Sequence, residues 1–169
     1  AANDELLDPS IRIEALITRH NLRMADVTTR QAAITTAQDL ITALRLDDML
    51  ARDLLLERAL ELLDQLDYER EQGRHFESDR IGANLLQPYA LAFDSGVPPS
   101  SNLFDRVTIA RILREGGRPE SALKAWDNLA REHPAALEVL LGRADSLMAV
   151  GDEGSLGEAM LIYRRLAQG

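Results

Sequence analysis

The chain of 169 residues has no cysteine, one tryptophan, one lysine and only 4% aromatic residues. Without cysteine there is no disulfide, no thiolate nucleophile and no Cys-ligated zinc. The compartment stays open: a start at Ala1-Ala2, without Met, is compatible with a cytoplasmic or an exported protein. No apolar run approaches the ~20 residues that cross a bilayer, so no membrane span is expected. Even the richest stretch, ARDLLLERALELLDQL from Ala51 to Leu66, carries a charge every few positions.

Catalytic signatures are missing as well. HExxH, GxSxG and GxxxxGK[ST] do not occur. The histidines are His20, His75 and His133, none with a second ligand at metal-binding spacing. Acidic neighbours such as Asp47–Asp48 and Glu69/Glu71 are adjacent or two apart, which on a helix does not bring them face to face. GDEGSLGE, from Gly151 to Glu158, lacks the alternating ligands of an EF-hand. His75 and Phe76 sit in a polar turn. These absences lead to an expectation of no metal, no cofactor and no catalysis.

What is present is acid, leucine and alanine. The net charge is -9, and residues 1–102 carry almost all of it, with 18 acids against 10 bases. Such a surface repels phosphate backbones, so nucleic acid is not an expected partner. The basic residues are arginines except Lys124. Arginine suits bidentate pairing with carboxylates; a codon bias accounts for its excess equally well. A hydrophobic content of 46% suffices for a core, and its Leu/Ala character favours helix over strand.

Apolar spacing is helical nearly throughout. Residues 8–23 place Pro9 in a first helical turn ahead of Ile13, Leu16 and Ile17. Residues 28–44 carry a stripe of Ala33, Ala37, Leu40, Ile41 and Leu44. A third helix runs to Gly73, capped by Asp47 or Asp48, with Leu55, Ala59, Leu62, Leu63 and Leu66 on a broad apolar face. A fourth, residues 77–93, contains Pro88, which is expected to kink or split it. DSGVPPSSN, Asp94 to Asn102, is the clearest loop. Helices then follow at about 103–115, 119–132, 135–150 and 155–168.

The region after Asn102 repeats. A shift of 34 places Leu103 on Leu137, Val107 on Leu141, Ala110 on Ala144, Leu113 on Leu147 and Gly117 on Gly151. Beyond the glycine the shift becomes 37, placing Ala122 on Ala159, Trp126 on Tyr163 and Leu129 on Leu166. Three extra residues in the second copy are assigned to the turn. Ile109 on Arg143 is a mismatch. The alanines allow close helix approach, the glycines supply a positive φ, Trp126 and Tyr163 plug the gap to the next pair, and Pro134 starts the next helix.

ARILREGGRPESALKAWDNLAREHP, from Ala110 to Pro134, resembles the tetratricopeptide repeat (TPR) family in the order and spacing of its small residue, glycine, alanine, aromatic and proline. The second copy keeps all but the proline; the family's usual aromatic in the first helix is Leu113 and Leu147 here. The resemblance covers residues 103–169 and implies an all-α fold, a right-handed α-solenoid of antiparallel helix pairs with about eight helices. Residues 1–93 would be an N-terminal helical region of four helices, 94–102 a linker and 103–169 two TPR-like pairs. The first helix of each pair would line a concave groove. Its facing positions would be Phe104, Val107, Arg111 and Arg114, then Glu138, Leu141, Asp145 and Met148. Such a groove implies a non-catalytic scaffold that binds a peptide or helix of another protein. Two other readings stand beside it: a homo-oligomer assembled through the open C-terminal end, and a small-ligand site or enzyme built from the N-terminal helices. The chain's own N-terminal helices are also candidates to fill the groove.

Overall fold

The computed structural model describes residues 8–44, 49–94 and 102–169, and every regular element among them is helical. They are α1 (Pro9–Ala25), α2 (Arg30–Leu44), α3 (Met49–Glu71), α4 (His75–Arg80), α5 (Gln87–Asp94), α6 (Leu103–Glu115), α7 (Pro119–Glu132), α8 (Leu137–Val150) and α9 (Glu153–Gln168). A π-helical stretch, Ile81–Leu86, joins α4 to α5 without a break. The described residues therefore form eight rods. None is long and apolar enough to cross a membrane. Asp47, Asp48 and residues 95–101 lie outside the described residues, so the expected cap of α3 and most of the expected linker do too.

Local chemistry sets the ends of the rods. Asp8 accepts the Ser10 N–H at 2.9 Å, with Pro9 opening α1. α3 stops where Gly73 donates to the Arg70 carbonyl and Arg74 to that of Glu69, each at 2.9 Å. The same double bond closes α6: Gly117 donates to Arg114 at 3.2 Å and Arg118 to Leu113 at 2.7 Å. Gly117 holds φ at 86° and Gly151 at 77°, which a β-carbon would oppose. The two repeat glycines thus do the job expected of them.

Three local expectations are corrected. Of the kink or split expected at Pro88, the split does not occur. In an α-helix its ring would clash with the Asn84 carbonyl; Asn84 instead lies in the wider π turn, and the rod passes through to Asp94. Pro134 does not open α8. It occupies a turn closed by the Ala136 N–H on the His133 carbonyl at 3.1 Å, and α8 begins only at Leu137. The three extra residues of the second repeat are not in the turn. Each turn leads from its glycine through one residue to the next helix, at Pro119 or Glu153. The insertion is almost one added turn at the start of α9, and it returns Ala159 to the inward face, where it is buried as Ala122 is.

The rods pack in sequence. α1 lies on α2 and α3, α3 on α4 and α6, α5 on α2 and α6, α6 on α7 and α8, and α7 and α9 on α8. One core runs from Ile13 to Val139 and draws on both sides of the 94–102 segment. Leu55, Ala59, Leu63 and Leu66 are fully buried in it, with Leu62 half-buried. In α2, Leu40 and Leu44 are buried and Ile41 half-buried, while the side chains of Ala33 and Ala37 fall outside the described set. Arginine–carboxylate pairs cross the helix steps: Arg58 to Glu14 at 2.7 Å, Arg106 to Glu132 at 2.7 Å, and Arg118 to Asp94. The mismatched Arg143 belongs to this set, reaching Asp127 on α7 and Glu158 on α9, both at 2.6 Å.

A candidate binding groove between α3, α6 and α8

α6 runs beside α3 on one side and α8 on the other, and the three enclose a groove of about 480 Å³. Its walls are Asp67 of α3, Arg111 and Arg114 of α6, and Leu137, Glu138, Leu141 and Asp145 of α8. Trp126 and Gly142 complete the lining. The indole is 1% exposed, and its Nε1–H has no hydrogen-bond partner. Gly142 allows this approach, since a β-carbon there would stand 2.3 Å from the indole Cζ2.

The charged side chains hold one another. Arg111 donates to both oxygens of Asp67, at 3.0 and 2.8 Å. Arg114 bridges Asp145 at 3.3 Å and Glu115 at 3.1 Å. The Tyr163 hydroxyl donates to the other oxygen of Asp145; partial burial, and then this bond, push its pKa up to about 12. Behind the arginines, Arg70 grips Glu115 through two bonds of 2.8 Å. Burial alone would raise the Glu115 pKa, but Arg70 and Arg114 outweigh it and hold the carboxyl below its ordinary value. Glu138 makes no ion pair among the described residues. Leu137 and Leu141 stand exposed at the rim.

Five of the eight residues expected from the repeat register meet here: Arg111, Arg114, Glu138, Leu141 and Asp145. Three do not. Val107 is 4% exposed and belongs to the core. Phe104 is exposed, but in a different recess, against Leu56 and Leu60 of α3. Met148 is exposed and lies outside the groove. Sequence reasoning did not reach Asp67, which lies outside the repeated region, or the exposure of Trp126's surroundings to the groove. The pairing of Leu137 with Leu103 in the repeat was the one signal for Leu137.

The histidines do not gather. His20 is 3% exposed and meets the Tyr89 ring edge-on at 6.4 Å. Burial pulls its pKa down to about 4, against an opposing hydrogen bond with the Thr36 backbone, and Arg23 lowers it further. His75 and Phe76 are exposed at the start of α4, and His133 is half-buried at its turn. Among the described residues no three His, Asp or Glu side chains are placed to hold a metal ion.

Comparison of the chain with protein-family models, with curated proteins and with solved structures returned no match.

Proposed function

We propose that the chain is a TPR-like, right-handed stack of four helix pairs, and that it acts as a non-catalytic scaffold binding an extended segment of a partner protein in the α3/α6/α8 groove. The pairs would be α1/α2, α3 with the 75–94 rod, α6/α7 and α8/α9. Support for the stack comes from the contacts between first helices, α1 to α3, α3 to α6 and α6 to α8, and from α5 on α6 and α7 on α8. The observation that carries the function is the groove itself. α3 flanks it without filling it, and its apolar rim, Leu137 and Leu141, adjoins Glu138, the acid of its lining that pairs with no arginine among the described residues. Three acids face two arginines there. The best-fitting occupant is a segment with an apolar residue for Leu141 and a basic one for Glu138.

Arg111 and Arg114 are committed to internal pairs, so reversing them would disturb the fold along with the groove. The sharper variant is Glu138→Lys/Leu141→Asp, both at exposed positions. A displayed library of random twelve-residue peptides, panned against the native chain and the variant, tests the reading. Enrichment of basic–apolar motifs on the native chain alone supports it; equal recovery on both sinks it.

A second reading rests on α9. Its only buried residue is Ala159, and Leu156, Met160 and Leu161 are exposed. That face fits self-association with a second copy. Sedimentation velocity over a hundredfold concentration range decides: a dimer abolished by Met160→Glu/Leu161→Glu supports it, and a monomer throughout removes it.

A further inference from the structure

The exposed face of α9 is basic as well as apolar. Met160 and Arg164 stand four residues apart, as do Leu161 and Arg165, so each pair shares a side of the helix. All four are exposed. From Ala159 to Gly169 the chain has two arginines and no acid, against a net charge of -9 for the whole. Neither arginine makes an ion pair with a described residue, whereas Arg106, Arg111, Arg114, Arg118 and Arg143 are each held by a carboxylate.

A surface of the opposite sign lies between the N-terminal halves of α3 and α6. It is a recess of about 450 Å³ whose lining holds three acids, Asp53, Glu57 and Asp105, and one arginine. That arginine, Arg52, is 8% exposed and donates to Asp53 through two nitrogens, at 3.0 and 2.9 Å. Glu57 is exposed and makes no ion pair among the described residues. The apolar part of the lining is Phe104, 61% exposed, with Leu56 and Leu60. A guanidinium gains from an aromatic face as well as from a carboxylate, and this recess offers arginine both. The groove beside α8 is a poorer match, because Arg111 and Arg114 line it and like charges oppose docking.

We propose that α9 of one copy docks in the α3/α6 recess of a second copy, Met160 and Leu161 against Phe104, and Arg164 and Arg165 facing the acids. The contact joins two different surfaces, so it closes as a reciprocal pair or runs on as a chain of copies. This inference rests on the self-association reading of α9 and adds the surface that α9 meets.

The test is sedimentation velocity of the whole chain, of Phe104→Asp, of Met160→Glu/Leu161→Glu and of an equimolar mixture of the two variants, each shown to be folded by its melting curve. The expected result is self-association of the native chain, loss of it in each variant alone, and a one-to-one complex in the mixture, where one α9 and one recess remain intact. Glu57→Arg should weaken self-association by about fivefold or more, and its exposed position keeps the test valid if Phe104→Asp misfolds. Native-strength association of the recess variants overturns the proposal and leaves the α9 reading in place. So does a mixture that forms no complex. A native chain that stays monomeric removes both.

Discussion

Gly142 lies so close to Trp126 that an added β-carbon would overlap three atoms of the indole, the nearest at 2.3 Å. The contact joins α7 to α8, with the ring wedged where the second helix has no side chain. Gly142→Ala must therefore push the indole or the helix aside. It is expected to cost about 1–3 kcal/mol. Trp126→Leu relieves the clash, so the double variant should lose less than the sum of the two single losses. Urea denaturation of the four proteins checks both statements. A neutral Gly142→Ala would mean that the helices are not held at this separation.

The two glycines of the α6–α7 turn are there for different reasons. Gly117 has φ of 86° and nothing within 4 Å of a built β-carbon. Its substitution by Ala is expected to cost about 1 kcal/mol, all of it conformational, and Asn should cost less. At Gly116, where φ is -83°, the backbone is ordinary, but a β-carbon would sit 2.4 Å from Cβ of Ala90. Ala there should cost about 1–3 kcal/mol, and Asn should not help. Melting curves of the four variants separate the cases; an Asn rescue at Gly116 would contradict this account.

Glu115 is nearly enclosed between Arg70 and Arg114. Glu115→Gln keeps the shape but leaves two guanidinium groups without their anion. The loss at pH 7 is expected to be about 2 kcal/mol, discounted because Arg70 is partly solvated. The folded protein holds this carboxyl below its ordinary value near 4.5. Its contribution is therefore complete above that value and disappears as pH falls through the depressed folded pKa. The variant and the native chain should converge in stability at strongly acidic pH. A gap that persists at pH 2 would show that the carboxylate charge is not what matters.

Helix positions and the repeat core were legible because they follow from apolar period and small-residue spacing. Ala110, Ala122, Ala144 and Ala159 are all fully buried, and Gly117 and Gly151 take the left-handed turns. The groove was half legible. Five of the eight register positions line the recess beside α6 and α8, while Val107 lies in the core and Phe104 in a separate recess beside α3, because the register carries no information on how α3 packs against α6. Asp67 and Arg111 are far apart in sequence, and no periodicity announces such a pair. The composition of GDEGSLG suits a turn, which hides the added turn of α9; Asp152, accepting from the Ser155 N–H at 2.9 Å, caps the helix there.

His20 makes the acid response begin earlier than the carboxylates do. In the unfolded chain its pKa is near 6.5, and in the folded protein burial holds it at about 4. Between these values the unfolded state binds a proton that the native state refuses, so stability must rise with pH across the window and fall as pH drops from 6.5 towards 4. The full shift corresponds to a loss on the order of 3 kcal/mol. Below about pH 4 the imidazole is charged in both states and this contribution stops changing. His20→Phe keeps an aromatic ring against Tyr89 and abolishes the titration. Chemical denaturation at pH 6.5, 5.5 and 4.5 should show the native chain weakening steadily, with a much flatter profile for the variant. Parallel profiles would place the acid sensitivity elsewhere and exclude His20 as its source.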